Sequence, residues 1–230
     1  MKSIVIALSG PDGTGKTSCT KLLSIILRKK GIIVRHVWIK HVHTIAYILV
    51  KLLEVINNKH VVRSTSGTFV THTIAGYSKL WPWIEVLGIT PILIKTLLYT
   101  KLLRFFRKYN VVIADRYILD SIVHITISLL YAKREKSISK EHIEKFLEFL
   151  PFKILRSFLM KSTMLILLDG NVEILIKRKR DKSDPRNYLQ LQRLLYKIVL
   201  NKLNIKPVMY IDTTNISLHT VCGNVLQHLM

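Results

Sequence analysis

Acidic residues are scarce: 14 Asp and Glu stand against 36 Lys and Arg, a formal net charge of +22 at pH 7 in 230 residues. So lopsided a balance speaks to partners rather than to fold. It admits phosphate-bearing small molecules, nucleic acid and anionic membrane surfaces. Cysteine is scarcer still. Only Cys19 and Cys222 occur, with no CxxC pair, so neither a zinc site nor a disulfide framework is suggested and a reducing cytoplasm is the simplest compartment. A long unbroken apolar run is lacking too. The greasiest stretch, Ile84 to Leu103, is interrupted by Glu85, Pro91, Lys95 and Lys101 before the roughly 20 apolar residues that a membrane span needs. Ile4 to Leu8 is too short for an export-signal core and runs into a glycine-rich loop, not a cleavage site. No membrane partner is expected.

What the chain has in quantity is apolar side chains, 49% of all residues, which excludes a disordered chain and supplies a core. Its length suits one domain over residues 1–230. Strand-like runs occupy Ile4 to Leu8, Ile32 to Trp38, Val111 to Ala114, Met164 to Leu168 and Val208 to Ile211. Helical spacing fills Gly15 to Lys30, Thr44 to Ile56, Lys79 to Lys108, Tyr117 to Ala132, Lys140 to Leu150, Val172 to Arg180, Tyr188 to Leu203 and Ser217 to Leu229. This alternation, with strands that are apolar throughout, predicts an α/β fold of three layers: a mostly parallel sheet covered by helices on both faces. Residues 40–110 are too many for one crossover helix and read as a helical insertion. Asn57-Asn58-Lys59 and Ser64 to Thr68 are its flexible joints.

The chemistry begins at SGPDGTGKTS, Ser9 to Ser18. Gly10, Gly15, Lys16 and Thr17 fill every fixed position of G-x-x-x-x-G-K-[ST], a strand feeds the loop and a helix leaves it. Backbone N–H groups from such a loop, together with the positive end of the helix, can point at phosphate oxygens. The nucleotide-binding set is therefore Gly10, Asp12, Gly13, Thr14, Gly15, Lys16, Thr17 and Ser18. Lys16 reaches the β and γ phosphates of a nucleoside triphosphate, and the Thr17 hydroxyl ligates Mg²⁺.

A second strand end carries Asp115-Arg116-Tyr117, at the edge where open parallel sheets bind ligands. Asp115 can hold Mg²⁺ through its water shell, and Arg116 can clamp an acceptor phosphate with two parallel hydrogen bonds. The densest basic cluster, VEILIKRKRDKSDPR from Val172 to Arg186, places Arg178, Arg180 and Arg186 in a lid over residues 177–188 that can bring positive charge to a migrating phosphoryl group.

At GPDGTGKTS, VIADRYILDS (Val112 to Ser121), LLDGNVEILIKRKR (Leu167 to Arg180) and YIDTTNISLHTV, the sequence resembles the thymidylate kinase family of P-loop nucleoside monophosphate kinases, in a divergent, archaeal-looking form. The resemblance implies a five-stranded parallel sheet, ATP and Mg²⁺, and transfer of the γ-phosphoryl group to a nucleotide 5′-phosphate, dTMP above all. It implies that Asp12 faces the acceptor sugar or the metal, that Asp115, Arg116 and Tyr117 gather round the acceptor, and that the catalytic arginine sits in the lid. It also implies a homodimer. The family's Arg-Glu-Pro-Gly acceptor segment is absent. Trp38-Ile39-Lys40-His41 replaces it, with Lys40 as the substitute phosphate ligand. The competing reading is a nucleic-acid-binding P-loop ATPase or polynucleotide 5′-kinase, motivated by the +22 charge. Nucleic acid is admitted as a partner but not favoured.

Overall fold

A computed structural model describes residues 4–39, 61–64, 67–70, 81–105, 110–132, 140–157, 163–178, 186–205 and 209–229. In chain order these form β1 (Ile4–Ser9), α1 (Lys16–Lys29), β2 (Ile33–Trp38), β3 (Val61–Ser64), β4 (Gly67–Val70), α2 (Trp81–Phe105), β5 (Asn110–Asp115) and α3 (Ile118–Ala132). There follow α4 (Lys140–Leu147), α5 (Leu150–Ser157), β6 (Thr163–Asp169), α6 (Val172–Arg178), α7 (Arg186–Lys202), β7 (Met209–Asp212) and α8 (Leu218–Leu229).

The main sheet has five strands in the order β2-β5-β1-β6-β7, every neighbouring pair parallel. All five expected strands are its members. β1 is central, and the register pairs Leu8 with Asp115 of β5 on one side and Ser9 with Leu167 of β6 on the other. The carboxyl ends of three strands therefore converge on the loop that follows Ser9.

Side-chain alternation along the strands separates two cores. Ile6, Leu8, Ile113, Ile166 and Leu168 face α1 and α8, where Leu23, Leu27, Val221, Val225 and Leu226 are buried. Ala7, Ala114, Leu165 and Leu167 belong to the larger core on the opposite face, built with Ile118, Ile122, Leu175, Leu189, Leu195 and Val199. Each buried Leu or Ile contributes about 1.5–3 kcal/mol over an exposed one, so both faces are held by many equal, non-directional contributions.

The insertion departs from expectation. It is not wholly helical: β3 and β4 pair antiparallel, and Ser64 stands opposite Gly67, two positions of the expected flexible joint. Val61, Val62, Thr68, Phe69 and Val70 are the β-branched and aromatic types that suit a pleated surface. The expected helix from Thr44 to Ile56 and the joint at Asn57 to Lys59 lie outside the described residues. The single helix expected from Lys140 to Leu150 ends at Leu147, and α5 starts at Leu150 with Pro151 in its first turn, where a missing N–H costs no hydrogen bond. Among the described residues no helix is long and apolar enough to cross a membrane.

Candidate functional site

The chain leaves β1 through two glycines that sterics dictate. Gly10 has φ +143°, and a Cβ there would lie 2.0 Å from the Leu168 carbonyl oxygen of β6. Gly13, at φ +88°, passes 2.6 Å, by the same measure, from the Leu175 carbonyl oxygen of α6. Only a residue without a side chain lets the loop press against its neighbours so closely. α1 then starts without a side-chain cap and with no acid in its first turn. The first N–H groups of a helix lack intrahelical partners, so this end presents donors and partial positive charge to the loop's concavity.

Lys16 curls back inside the loop. Its ammonium is buried and donates to the carbonyl oxygens of Gly10 at 2.6 Å and Pro11 at 2.8 Å, 3.7 Å from the Asp12 carboxylate. Burial pulls its pKa below the ordinary lysine value, while Asp12 works in the other direction. Across the sheet edge, Arg116 sits at φ 63°, left-handed backbone that a non-glycine residue occupies at a cost of about 1–3 kcal/mol. Its Nη2 donates to Asp12 Oδ1 at 2.9 Å. Asp12 keeps the guanidinium firmly protonated against the cost of burial. The strained residue is thus the one that ties the end of β5 to the phosphate loop after β1.

Asp115 ends β5, 3% exposed, and its Oδ1 has no hydrogen-bond partner among the described residues. A buried carboxylate oxygen without a donor is costly unless a cation or water answers it. The Tyr117 ring lies in the core, and its backbone N–H donates to Asp120 Oδ2 at 2.9 Å.

A cavity of roughly 560 Å³ opens beside the loop, lined by Asp12 to Ser18, Arg116, Arg178, Thr213, Ile216, Ser217, Leu218 and Val221. Lys16, Thr17 and Arg116 therefore share one space, as their motifs implied. Arg178 closes one wall, its guanidinium donating to Thr213 Oγ1 at 3.3 Å and the Thr214 carbonyl at 3.1 Å. Arg186 is not part of this wall: more than half exposed, it pairs with Glu173 of α6. Arg180 and Lys40 lie outside the described residues.

The structure adds residues that motif reading passed over, all of them behind the loop. α7 sends two side chains to it. Gln192 Oε1 accepts from the Asp12 N–H at 3.1 Å, and the Tyr196 hydroxyl lies 2.9 Å from the Gly10 carbonyl and 2.7 Å from Asp120 Oδ1. The Gly10 N–H approaches Asp120 Oδ1 at 3.4 Å. Asp120 stands three residues into α3 and reaches back to the N–H of the residue before the helix, the acidic half of a capping box. Burial and the neighbouring Asp120 carboxylate push the Tyr196 phenol well above its ordinary pKa, so it stays a donor. A third support holds β6: Asp169 accepts from Arg193 at 2.6 and 2.9 Å, from Tyr210 at 2.6 Å and from the Gly170 N–H at 2.8 Å. Burial opposes ionisation of Asp169, yet these donors hold its carboxyl below the usual range. The Tyr210 phenol is pushed up to about 12 by burial and by Asp169. Gln192 and Tyr196 are four apart and share one helix face. That spacing was visible in the sequence, but nothing there said the face met a loop.

Neither a family model nor a curated protein matches the chain. Among solved structures it is similar to the YorR protein of Bacillus subtilis, crystallised in complex with phosphorylated GDP, at 16% identity and a TM-score of 0.49, with 98% of this chain and 95% of that one covered.

Proposed function

We propose that the chain is an ATP-dependent nucleoside monophosphate kinase, with dTMP the first acceptor to test. The observation that carries this reading is the meeting of the glycine loop and Lys16 with Arg116, through the Asp12 ion pair, at the ends of two adjacent parallel strands. A fixed anion cradle and a mobile-phosphate clamp side by side are what phosphoryl transfer requires, since catalysis there is positioning and charge stabilisation with little covalent work by the protein.

In this reading the backbone N–H groups of Gly13 to Thr17 take the β and γ phosphates of the donor. Lys16 exchanges carbonyl partners for phosphate oxygens, a favourable trade of neutral acceptors for charged ones. The donor base lies between the Arg178 guanidinium and the apolar side chains of Ile216 and Leu218, all of which line the cavity. Arg116 grips the acceptor's 5′-phosphate, held in place by Asp12, and Lys40 adds a second cation. Arg180 and Arg186 are the lid residues that bring charge to the moving group. Mg²⁺ accompanies ATP, and the residues fit it: Asp115 keeps a buried oxygen with no hydrogen-bond partner among the described residues, and Thr17 offers a hydroxyl at the start of α1. When bound, the ion neutralises charge on the β and γ phosphates. A homodimer goes with the same reading, its surface the outer face of α2, where Trp83, Leu87, Ile94 and Leu98 are exposed.

The test is ADP release from ATP and Mg²⁺ in the presence of each common nucleoside monophosphate. Turnover highest with dTMP, reduced at least about 100-fold by Lys16→Ala, is the expected result. ATP binding with no turnover on any monophosphate refutes it.

A further inference from the structure

We infer that Cys19 and Cys222 form an intramolecular disulfide that staples the phosphate-loop helix to the last helix of the chain. They are the chain's two cysteines, 203 positions apart, and the fold brings their sulfurs to 3.0 Å. That is about 1 Å more than a covalent S–S bond of ~2.04 Å, so a small approach of α1 and α8 completes it. Both side chains are fully buried in the core that faces these helices, beside Leu23, Val221 and Val225. No third thiol competes, which leaves one pairing open within the chain.

The chemistry balances with a peroxide as oxidant. One thiolate attacks a peroxide oxygen, the O–O bond breaks and hydroxide leaves, giving a sulfenic acid. The second sulfur attacks that sulfur, the S–S bond forms, the S–O bond breaks and water departs with the thiol proton. In sum, two thiols and hydrogen peroxide give a disulfide and two waters, sulfur being oxidised and oxygen reduced.

The position gives the bond a consequence at the cavity. Cys19 lies in the first turn of α1, its N–H donating to the Gly15 carbonyl at 2.9 Å. Cys222 follows Val221, which with Ile216 and Leu218 lines the facing wall. The link therefore fastens the helix that bears Lys16 and Thr17 to the helix that bears Leu218 and Val221, both of which line the cavity. Because it closes nearly the whole chain into a loop, it constrains the unfolded state strongly, and for a chain of this size the oxidised form should melt about 5–15 °C above the reduced form.

The experiment uses the wild-type full chain in two states, one reduced by dithiothreitol and one treated with a modest excess of hydrogen peroxide. Expected are a loss of two hydrogens in the intact mass, a peptide containing Cys19 linked to one containing Cys222 in a non-reducing digest, and the rise in Tm, reversed by dithiothreitol. Cys222→Ser abolishes the shift. Because the two wild-type states carry the comparison, a variant that fails to fold leaves the test intact. Two free thiols after oxidation, a link between chains instead of within one, or a linked protein that melts no higher than the reduced one overturns the inference.

Discussion

Replacing Tyr196 by Phe tests whether the phosphate loop is held from behind. The ring stays, so packing in the larger core is preserved, and one oxygen is removed. That oxygen lies 2.7 Å from Asp120 Oδ1 and 2.9 Å from the Gly10 carbonyl. Of the two acceptors, Asp120 has more to lose. It is 6% exposed, and without the phenol its Oδ1 keeps, among the described residues, the Gly10 N–H at 3.4 Å. A hydrogen bond to a charged group contributes about 1.5–3 kcal/mol, and stripping a donor from a buried carboxylate belongs at that end of the scale. We expect a loss of about 2 kcal/mol, which for a chain of this length lowers Tm by about 4–8 °C. Urea unfolding with an unchanged slope measures it, and the double variant with Asp120→Asn should cost less than the sum of the singles, because both act on one bond. A change under about 0.5 kcal/mol, or strict additivity, refutes the claim that Tyr196 and Asp120 jointly brace Gly10.

Other outcomes follow from the same geometry. Gly10→Ala drives a methyl into the Leu168 carbonyl at a φ that L-residues avoid and should cost more than about 4 kcal/mol, read as lost soluble yield, whereas Gly223→Ala, with nothing within 4 Å in the interior of α8, should gain about 0.5–1 kcal/mol in the same melt. Asp169 has a folded pKa below its unfolded value of about 3.9, so its contribution is present above that pH and lost as pH falls through the folded value. Asp169→Asn should therefore flatten the acid limb of a stability-pH curve below about pH 4, and an unchanged limb contradicts the assignment. Arg116→Lys should lower turnover with a monophosphate at least about 100-fold while ATP affinity changes little, since a point ammonium cannot reproduce the two-pronged contact. Full activity in a coupled ADP assay would dismiss the clamp.

The sheet was legible because its strands are signalled twice, by composition and by what ends them. Val112 to Ala114 and Met164 to Leu168 are apolar at every position, which is what strands covered on both faces look like, and each stops at an acid that begins a loop. The helices α1, α3 and α8 read from their 3.6-residue spacing to within a residue or two. The insertion was not legible in the same way. A four-residue strand such as Val61–Ser64 carries too few positions to show a period, and its partner begins in a Ser- and Gly-containing stretch that propensity alone assigns to a joint. Phe149-Leu150-Pro151 likewise hid a helix start, because proline reads as a stop until its place in the first turn is known.

At the site, the residues that a motif fixes by spacing were legible and those that hold the motif in place were not. A glycine loop announces itself because its shape requires glycines at fixed intervals. The α7 contacts require only that Gln192 and Tyr196 share a face, which any amphipathic helix offers. Their function depends on a neighbour 180 to 186 positions away. The Asp12 N–H and Gly10 carbonyl are fixed by this helix, Arg186–Lys202. The same element carries Arg193 to Asp169 at the end of β6. One helix therefore reaches both the loop after β1 and the end of β6.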